Sequence, residues 1–251
     1  MRAPRDFRPQ QLYGVTQRGN GGQWVHRDRQ DFEEARRLMI RYARMHDVKI
    51  HFYIQLHNHS HWVFEASDEE SISNLMRDMQ GNYSRYLNRK YRKTPWLLRA
   101  PLSGAKRRRG FSKYLRAGPV NWSPRFDAEP LDAAGAKSFG RYVENNAVEA
   151  GLVKRARRWR WSSAAAHGKG SDEDGVLCLD RWRWMFGNPE TIVEEWTRYL
   201  DAPREERRQN AVRLPVGLAA RLPVRLPHNR PKGWSPPVVE RAAAASGGLP
   251  D

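Results

Sequence analysis

The chain has 251 residues, enough for one large domain or for a domain with an appended module. Its 45 Lys and Arg against 28 Asp and Glu leave a formal net charge of +17, and a surplus of that size points to a polyanionic partner, nucleic acid ahead of an acidic membrane. No apolar run approaches the roughly 20 residues a membrane span needs. MRAPRDFRPQQLYG at the N-terminus lacks the apolar centre of a secretory signal, and one cysteine excludes an intrachain disulfide or a Cys-rich zinc site. The expected compartment is the reducing cytoplasm, with no membrane partner.

Residues 12–18, LYGVTQR, make a short strand, and RGNGG makes a turn after it. From Asp31 the period becomes helical, with Phe32, Ala35, Leu38, Met39 and Tyr42 on one face. VKIHFYIQL, residues 48–56, alternates. Val48, Ile50, Phe52, Ile54 and Leu56 are expected to point one way, and Lys49, His51, Tyr53 and Gln55 the other. His57 and Asn58 form a turn, because Asn tolerates the left-handed backbone that tight turns require. The return strand His59–Glu65 then points Trp62 and Phe64 at the core, with His59, His61 and Val63 on the opposite side.

The acidic SDEE favours a helix start, and Ile72, Leu75, Met76, Met79, Tyr83, Tyr86 and Leu87 hold core spacing in a helix from about Ser71 to Tyr91. A Pro/Gly-punctuated basic segment follows, and NWSPRFDAEPL is expected to supply another short strand or an extended stretch. Asp132 caps a further helix that Gly135 and Gly140 weaken. Cys178 in VLCLD reads as a small buried hydrophobe. NPETIVEEWTRYLDAPREERR is helical, and the Pro/Arg-rich stretch after it is extended or disordered. The order strand, helix, strand, strand, helix, strand, helix predicts an α+β fold, a ferredoxin-like antiparallel sheet with covering helices, plus a basic C-terminal extension.

His59-Ser60-His61 lies on a strand, whose side-chain period of two puts both imidazoles on one sheet face. Such a pair can bind one metal ion together, or it can stand on a solvated face with no task. In RYVENNAVEAGLV, Tyr142 and Asn146 are spaced i, i+4 and stack on one helix face. They are either a reactive phenol beside a carbonyl ligand or a boundary tyrosine and a helix-end asparagine. The residues alone leave both choices open.

HNHSH after an alternating strand, NWSPRF, RYVENNAVEAGLV and RWRWSSAAAHG stand in the order seen in the REP-associated tyrosine transposases, single-tyrosine HUH transposases of small insertion sequences. LYGVTQRGN also resembles the first strand and turn of that family, and a weaker echo continues in RWMFGNPETIVEEW and RPKG. The resemblance covers roughly residues 10–170. It implies a catalytic domain over 10–170, with 94–119 a basic insertion relative to the family's shorter link, and a C-terminal extension over 171–251. It also implies cleavage and rejoining of single-stranded DNA next to a hairpin, by a tyrosine nucleophile and a divalent ion, Mg or Mn. Carried over, Tyr142 is the nucleophile, His59 and His61 are paired metal ligands, and Asn146 is the third ligand. The product implied is a 5′-phosphotyrosine adduct, and the protein acts as a monomer or a homodimer.

The basic residues suit that substrate. No Asp or Glu interrupts residues 84–116, where Arg85, Arg89, Lys90, Arg92, Lys93, Lys106, Arg107, Arg108 and Arg109 are interleaved with Tyr86, Tyr91, Trp96, Phe111 and Tyr114. KRARRWR at 154–160 adds Arg155, Arg157 and Arg158 around Trp159. Each cluster is expected to track phosphates.

Departures from the family pattern bear on activity. Ser60 replaces the apolar residue between the histidines and would need a partner for its hydroxyl. His57 stands where proline is common, and Ala147 replaces the proline of the usual NPV, which should loosen the end of the tyrosine helix. The alternative function is therefore a non-catalytic hairpin-DNA-binding protein or repressor on the same fold. A replication or conjugation nickase often carries two tyrosines on the catalytic helix, whereas this helix has Tyr142 alone. An RNA-binding ferredoxin-like protein would need aromatics exposed on its strands, and Tyr53 is the evident candidate.

Overall fold

The structure, a computed structural model, describes residues 7–91, 122–123 and 125–203. Strand β1 (Leu12–Arg18) leads to helix α1 (Arg29–Met45), the hairpin β2 (Lys49–Gln55) and β3 (His59–Glu65), helix α2 (Ser71–Tyr91), strand β4 (Asp127–Leu131) and helix α3 (Ala133–Glu149). Three shorter helices follow, α4 (Ala164–Lys169), α5 (Leu179–Phe186) and α6 (Ile192–Asp201). The sheet is antiparallel throughout, in the order β2-β3-β1-β4. That is the ferredoxin-like arrangement the element order predicts. Pro130 is accommodated because β4 is an edge strand, where a missing N–H breaks no ladder on its outer side.

Local chemistry sets the helix ends. The Asp28 carboxylate caps α1 by accepting from the Asp31 amide, and Asp132 caps α3 by accepting from the Gly135 amide at 2.7 Å. Gly140 is required by packing: a Cβ there would fall 2.6 Å from the Phe52 ring of β2. The glycine that weakens the helix locally is what lets α3 lie against the sheet.

Both faces of the sheet are covered. Helices α1 and α2 pack Leu38, Met39, Leu75, Met76 and Tyr83 onto Val15, Ile50, Trp62 and Phe64. On the other face α3, α5 and α6 pack Phe139, Val143, Trp182 and Trp196 onto Phe52, Ile54 and Val63. Each large side chain so buried contributes roughly 2–3 kcal/mol.

The uniform alternation expected for residues 48–56 does not hold. The β2–β3 register shifts between Ile50 and Phe52. Ile50 lies in the α1/α2 core, and Phe52 and Ile54 lie in the α3 core. A bulge adds one residue to a strand, so every side chain beyond it changes face. Both faces being apolar, the switch exposes nothing. Tyr53 is buried at 4% exposure, so the strands do not offer the open aromatic surface that an RNA-binding reading needs. Cys178 is half-buried, not buried, because it lies on the segment that runs past the outer edge of β2, its amide donating to the Ile50 carbonyl at 2.9 Å.

The core on the α3 face continues beyond residue 170, through Trp182, Phe186, Ile192, Trp196 and Leu200. The 94–119 segment, the extension after residue 203 and the cations Arg92, Lys93, Lys106, Arg107, Arg108 and Arg109 lie outside the described residues. Among the described residues no helix is long and apolar enough to cross a membrane.

Candidate active site

The site is built where the end of β3 meets α3. On β3 the period of two sends His59 and His61 to the α3 face, where they are 4% and 1% exposed. Their ring centroids lie 4.9 Å apart at 79°. The cross-strand partners in β1 are Arg18 for His59 and Thr16 for His61. Thr16 Oγ1 meets His61 Nδ1 at 2.8 Å, and Asn58 Oδ1 accepts from His59 Nδ1 at 2.7 Å. A carboxamide oxygen only accepts, so in this contact His59 Nδ1 is the donor. If the hydroxyl of Thr16 accepts likewise, His61 does the same, and its Nε2 has no hydrogen-bond partner among the described residues.

Tyr142 and Asn146, one helical turn apart on α3, face this pair. The Tyr142 ring lies 5.4 Å from the His61 ring at 74° and stacks on Phe139 at 5.7 Å. The Asn146 side chain acts by hydrogen bonding on both His59 and the Tyr142 phenol, raising the pKa of the first and lowering that of the second. Its Nδ2 makes no bond of ordinary geometry. The carboxamide therefore stands between the His59 ring and the Tyr142 phenol. The two pairs read separately from the sequence are one cluster.

Burial sets the protonation states. It pushes His59 down to about 3, with the charge of Arg18 adding to the effect and Asn146 opposing it. It pushes His61 well below the ordinary histidine range, with His59 and Arg18 adding. Both rings are neutral near pH 7, the state a metal ligand needs. Burial also pushes the Tyr142 phenol up to about 12, against the lowering influence of Asn146 and Arg18. An isolated phenol in this place is a weak nucleophile.

The donor set fits a divalent cation. Two neutral imidazoles with both Nδ1 atoms engaged, the orphaned Nε2 of His61 and the neighbouring Asn146 carboxamide, whose oxygen can coordinate, form a mixed N/O set. Among the described residues no group of three or more His, Cys, Asp or Glu is placed to hold a metal ion.

Other expectations fall differently. His57 does not join the pair; its Nδ1 donates to the His26 carbonyl at 2.7 Å and its ring stacks on Trp24 at 4.8 Å. Ser60 is 1% exposed and its hydroxyl has no partner among the described residues, so the partner it was expected to need is missing. Ala147 does not loosen α3: the helix continues to Glu149, and the Ala147 carbonyl accepts from the Leu152 amide at 2.9 Å. An alanine keeps the N–H that a proline would remove, so the last turn closes normally.

The basic residues separate into groups. Arg85 and Arg89 are exposed on α2, over the sheet face away from the histidine pair. Lys90 is engaged within the fold, its Nζ 2.7 Å from Asp28 and 2.8 Å from Asp31. Arg155 and Arg158 are exposed, while Arg157 pairs with Asp201 at 3.1 Å. The 154–160 segment adjoins the hairpin that carries the histidines, through the Trp159 indole N–H donating to the Gln55 carbonyl at 2.9 Å.

Sequence reasoning passed over Arg18 and Thr16. The available signal was their alternation at the end of β1, which places both on one face once β1 is paired with β3. It also passed over Glu144, which lies wholly buried on α3 and accepts from Ser163 Oγ, His167 Nδ1 and Trp196 Nε1.

Residues 24–98 match the family model described as Transposase IS200 like. The match spans α1, β2, β3 and α2, the stretch that carries the His59-Ser60-His61 pair, and it agrees with the resemblance drawn from the motifs. No curated protein matches the chain. Among solved structures the chain is similar to a REP-associated tyrosine transposase bound to a REP hairpin, at 15% identity and a TM-score of 0.47, over 72% of this chain and 90% of that one. It is also similar to a Deinococcus radiodurans protein provisionally described as a transposase, at 14% identity and a TM-score of 0.35, over 58% and 97%.

Proposed function

We propose that the chain is a metal-dependent, single-tyrosine transposase that cuts and rejoins single-stranded DNA beside a hairpin. The observation that carries this reading is the convergence of Tyr142 on His61, 5.4 Å between ring centroids, with Asn146 acting on both the phenol and His59. The IS200-like match over residues 24–98 and the net charge of +17 support the transposase class and the polyanionic substrate.

Tyr142 is the nucleophile. Its Oη attacks a backbone phosphorus, forming the O–P bond to the enzyme while the bond from phosphorus to the 3′ oxygen breaks. The phenolic proton is lost to solvent, and the departing 3′ oxygen takes a proton to become a free hydroxyl. The 5′-phosphotyrosine retains the phosphodiester's energy, so a 3′ hydroxyl of another strand can reverse the step without ATP. His59, His61 and the Asn146 carbonyl would hold the divalent ion. When bound, that ion would supply Lewis-acid stabilisation of charge on a non-bridging phosphoryl oxygen. Arg18 places a further positive charge where it lowers the Tyr142 pKa. Phe139 stacks on the Tyr142 ring and limits its rotation.

The test is a denaturing gel with labelled single-stranded hairpin oligonucleotides and manganese, wild type beside Tyr142→Phe, with a native binding gel in parallel. A denaturation-resistant protein–DNA band present in wild type and absent in the variant is expected. Hairpin binding with no such band would instead establish the non-catalytic DNA-binding alternative.

A further inference from the structure

Helix α3 buries a second group beside Tyr142 that this chemistry does not use. Arg141 is 5% exposed, and its Nε, Nη1 and Nη2 are all buried without a hydrogen bond to any described residue. Its guanidinium carbon lies 3.7 Å from the centroid of the Tyr199 ring on α6. Glu144, the buried carboxylate nearest along the helix, is engaged by Ser163, His167 and Trp196. Lys137, one turn earlier, adds positive charge and donates to the Phe186 carbonyl.

A buried guanidinium without a counter-charge is costly, and arginine cannot escape by shedding its proton as a buried lysine or histidine does. The face of one tyrosine ring recovers part of that cost by cation–π attraction and satisfies none of the N–H donors. The group that would complete the site is a compact anion presenting several oxygens to a planar fork, and a phosphoryl group has that form. We propose that Arg141, covered by Tyr199, is a phosphate-binding site. Tyr199 is half-buried and two residues from the end of α6 at Asp201, so its ring is the part of the site able to swing aside.

Consecutive helical residues leave the axis about 100° apart. The phosphate at Arg141 is therefore a different one from that attacked by Tyr142. On a bound strand it belongs to a neighbouring nucleotide, which would set the register of the strand at the phenol. That a phosphoryl group binds here rests on the geometry of Arg141 and Tyr199. That the phosphate is part of DNA rests on the function proposed above.

Thermal unfolding of the full chain in sodium phosphate, against sodium chloride of equal ionic strength, tests the first statement. Phosphate should raise the midpoint of wild type, raise that of Arg141→Lys less and leave that of Arg141→Gln unmoved. In chloride Arg141→Gln should be at least as stable as wild type, because it removes an unpaired buried charge. An equal phosphate response in wild type and Arg141→Gln overturns the site. So does a lower stability of Arg141→Gln in chloride, which would make the arginine a packing element. Hairpin-oligonucleotide binding over a salt series tests the second statement. Loss of one single-strand phosphate contact in Arg141→Gln should lower the slope of log K against log salt by about 0.7. A phosphate response with an unchanged slope assigns the site to free phosphate and overturns the DNA source. Tyr142→Phe, run beside these, should keep both responses. Its adduct assay is read separately, so failure of the cleavage reading and failure of the Arg141 site produce different results.

Discussion

Glu144 Oε1 and His167 Nδ1 lie 2.6 Å apart with both side chains wholly buried, and this contact ties the helix that carries Tyr142 to α4. The other carboxylate oxygen accepts from the Trp196 indole of α6 at 2.8 Å, and Ser163 donates to the first. Three donors from the C-terminal part of the core thus meet one carboxylate on α3. The rotation of α3 that turns Tyr142 and Asn146 toward the histidines is held from behind by this hub.

Glu144→Ala should destabilise the protein by roughly 3–5 kcal/mol, since it leaves three buried donors unpaired. Urea unfolding midpoints measure this. Glu144→Gln, which keeps one carbonyl acceptor, should lose less. Equal stability of Glu144→Ala and wild type would show that the hub does not hold α3.

Thr16 orients His61 through the 2.8 Å contact to Nδ1. Removing a partner of this kind typically weakens metal binding about 10–100-fold. Thr16→Val should therefore weaken manganese binding by that order in calorimetric titration of the full chain, and Thr16→Ser should restore most of it. The fold should survive Thr16→Val, because the position is buried and valine is nearly isosteric.

Gly140→Ala sets two effects against each other. Alanine raises helix propensity by about 1 kcal/mol, but its Cβ would fall 2.6 Å from the Phe52 ring. Overpacking of a close contact costs about 1–3 kcal/mol, and Phe52 is itself wholly buried with no room to retreat. A net loss of thermal stability is expected. A gain would mean that α3 can lift from the sheet without cost.

Lys90 clamps the start of α1 to the end of α2 through Asp28 and Asp31, where Asp31 is fully buried. For Asp28, burial raises the carboxyl's pKa, and the bonds from Lys90, the Asp31 amide and Tyr91 outweigh it, for a net lowering. A folded pKa below the unfolded one adds stability above about pH 4, which is lost as pH falls through the lowered folded value. Lys90→Met should cost roughly 1–3 kcal/mol at pH 7 and flatten that acid loss. The salt slope of DNA binding should not change, since the ammonium is neutralised within the fold. A reduced slope would return Lys90 to the DNA surface.

Much of the architecture was legible because it depends on local periods. The α2 limits, the Asp132 cap and the hairpin at His57 and Asn58 follow from helix spacing, capping chemistry and turn preference, which neighbouring residues decide among themselves. The same is true of the pairing of His59 with His61 and of Tyr142 with Asn146, each a consequence of one element's own period.

What the sequence by itself determined, then, was which residues share a face of each element, and the net charge of +17. Only the tertiary structure decided which faces meet. The bulge after Ile50 reassigns Phe52 and Ile54 to the other core, and no local pattern records it, because both faces of β2 are covered by helices and both tolerate apolar residues. Arg18 reaches the site only through the pairing of β1 with β3, Lys90 is paired only because α1 delivers two carboxylates to it, and Arg141 is buried only because α6 lays Tyr199 over it. Each of these is a contact between residues far apart in the chain, and such contacts are set by packing, whose rules act on assembled surfaces and not on sequence spacing.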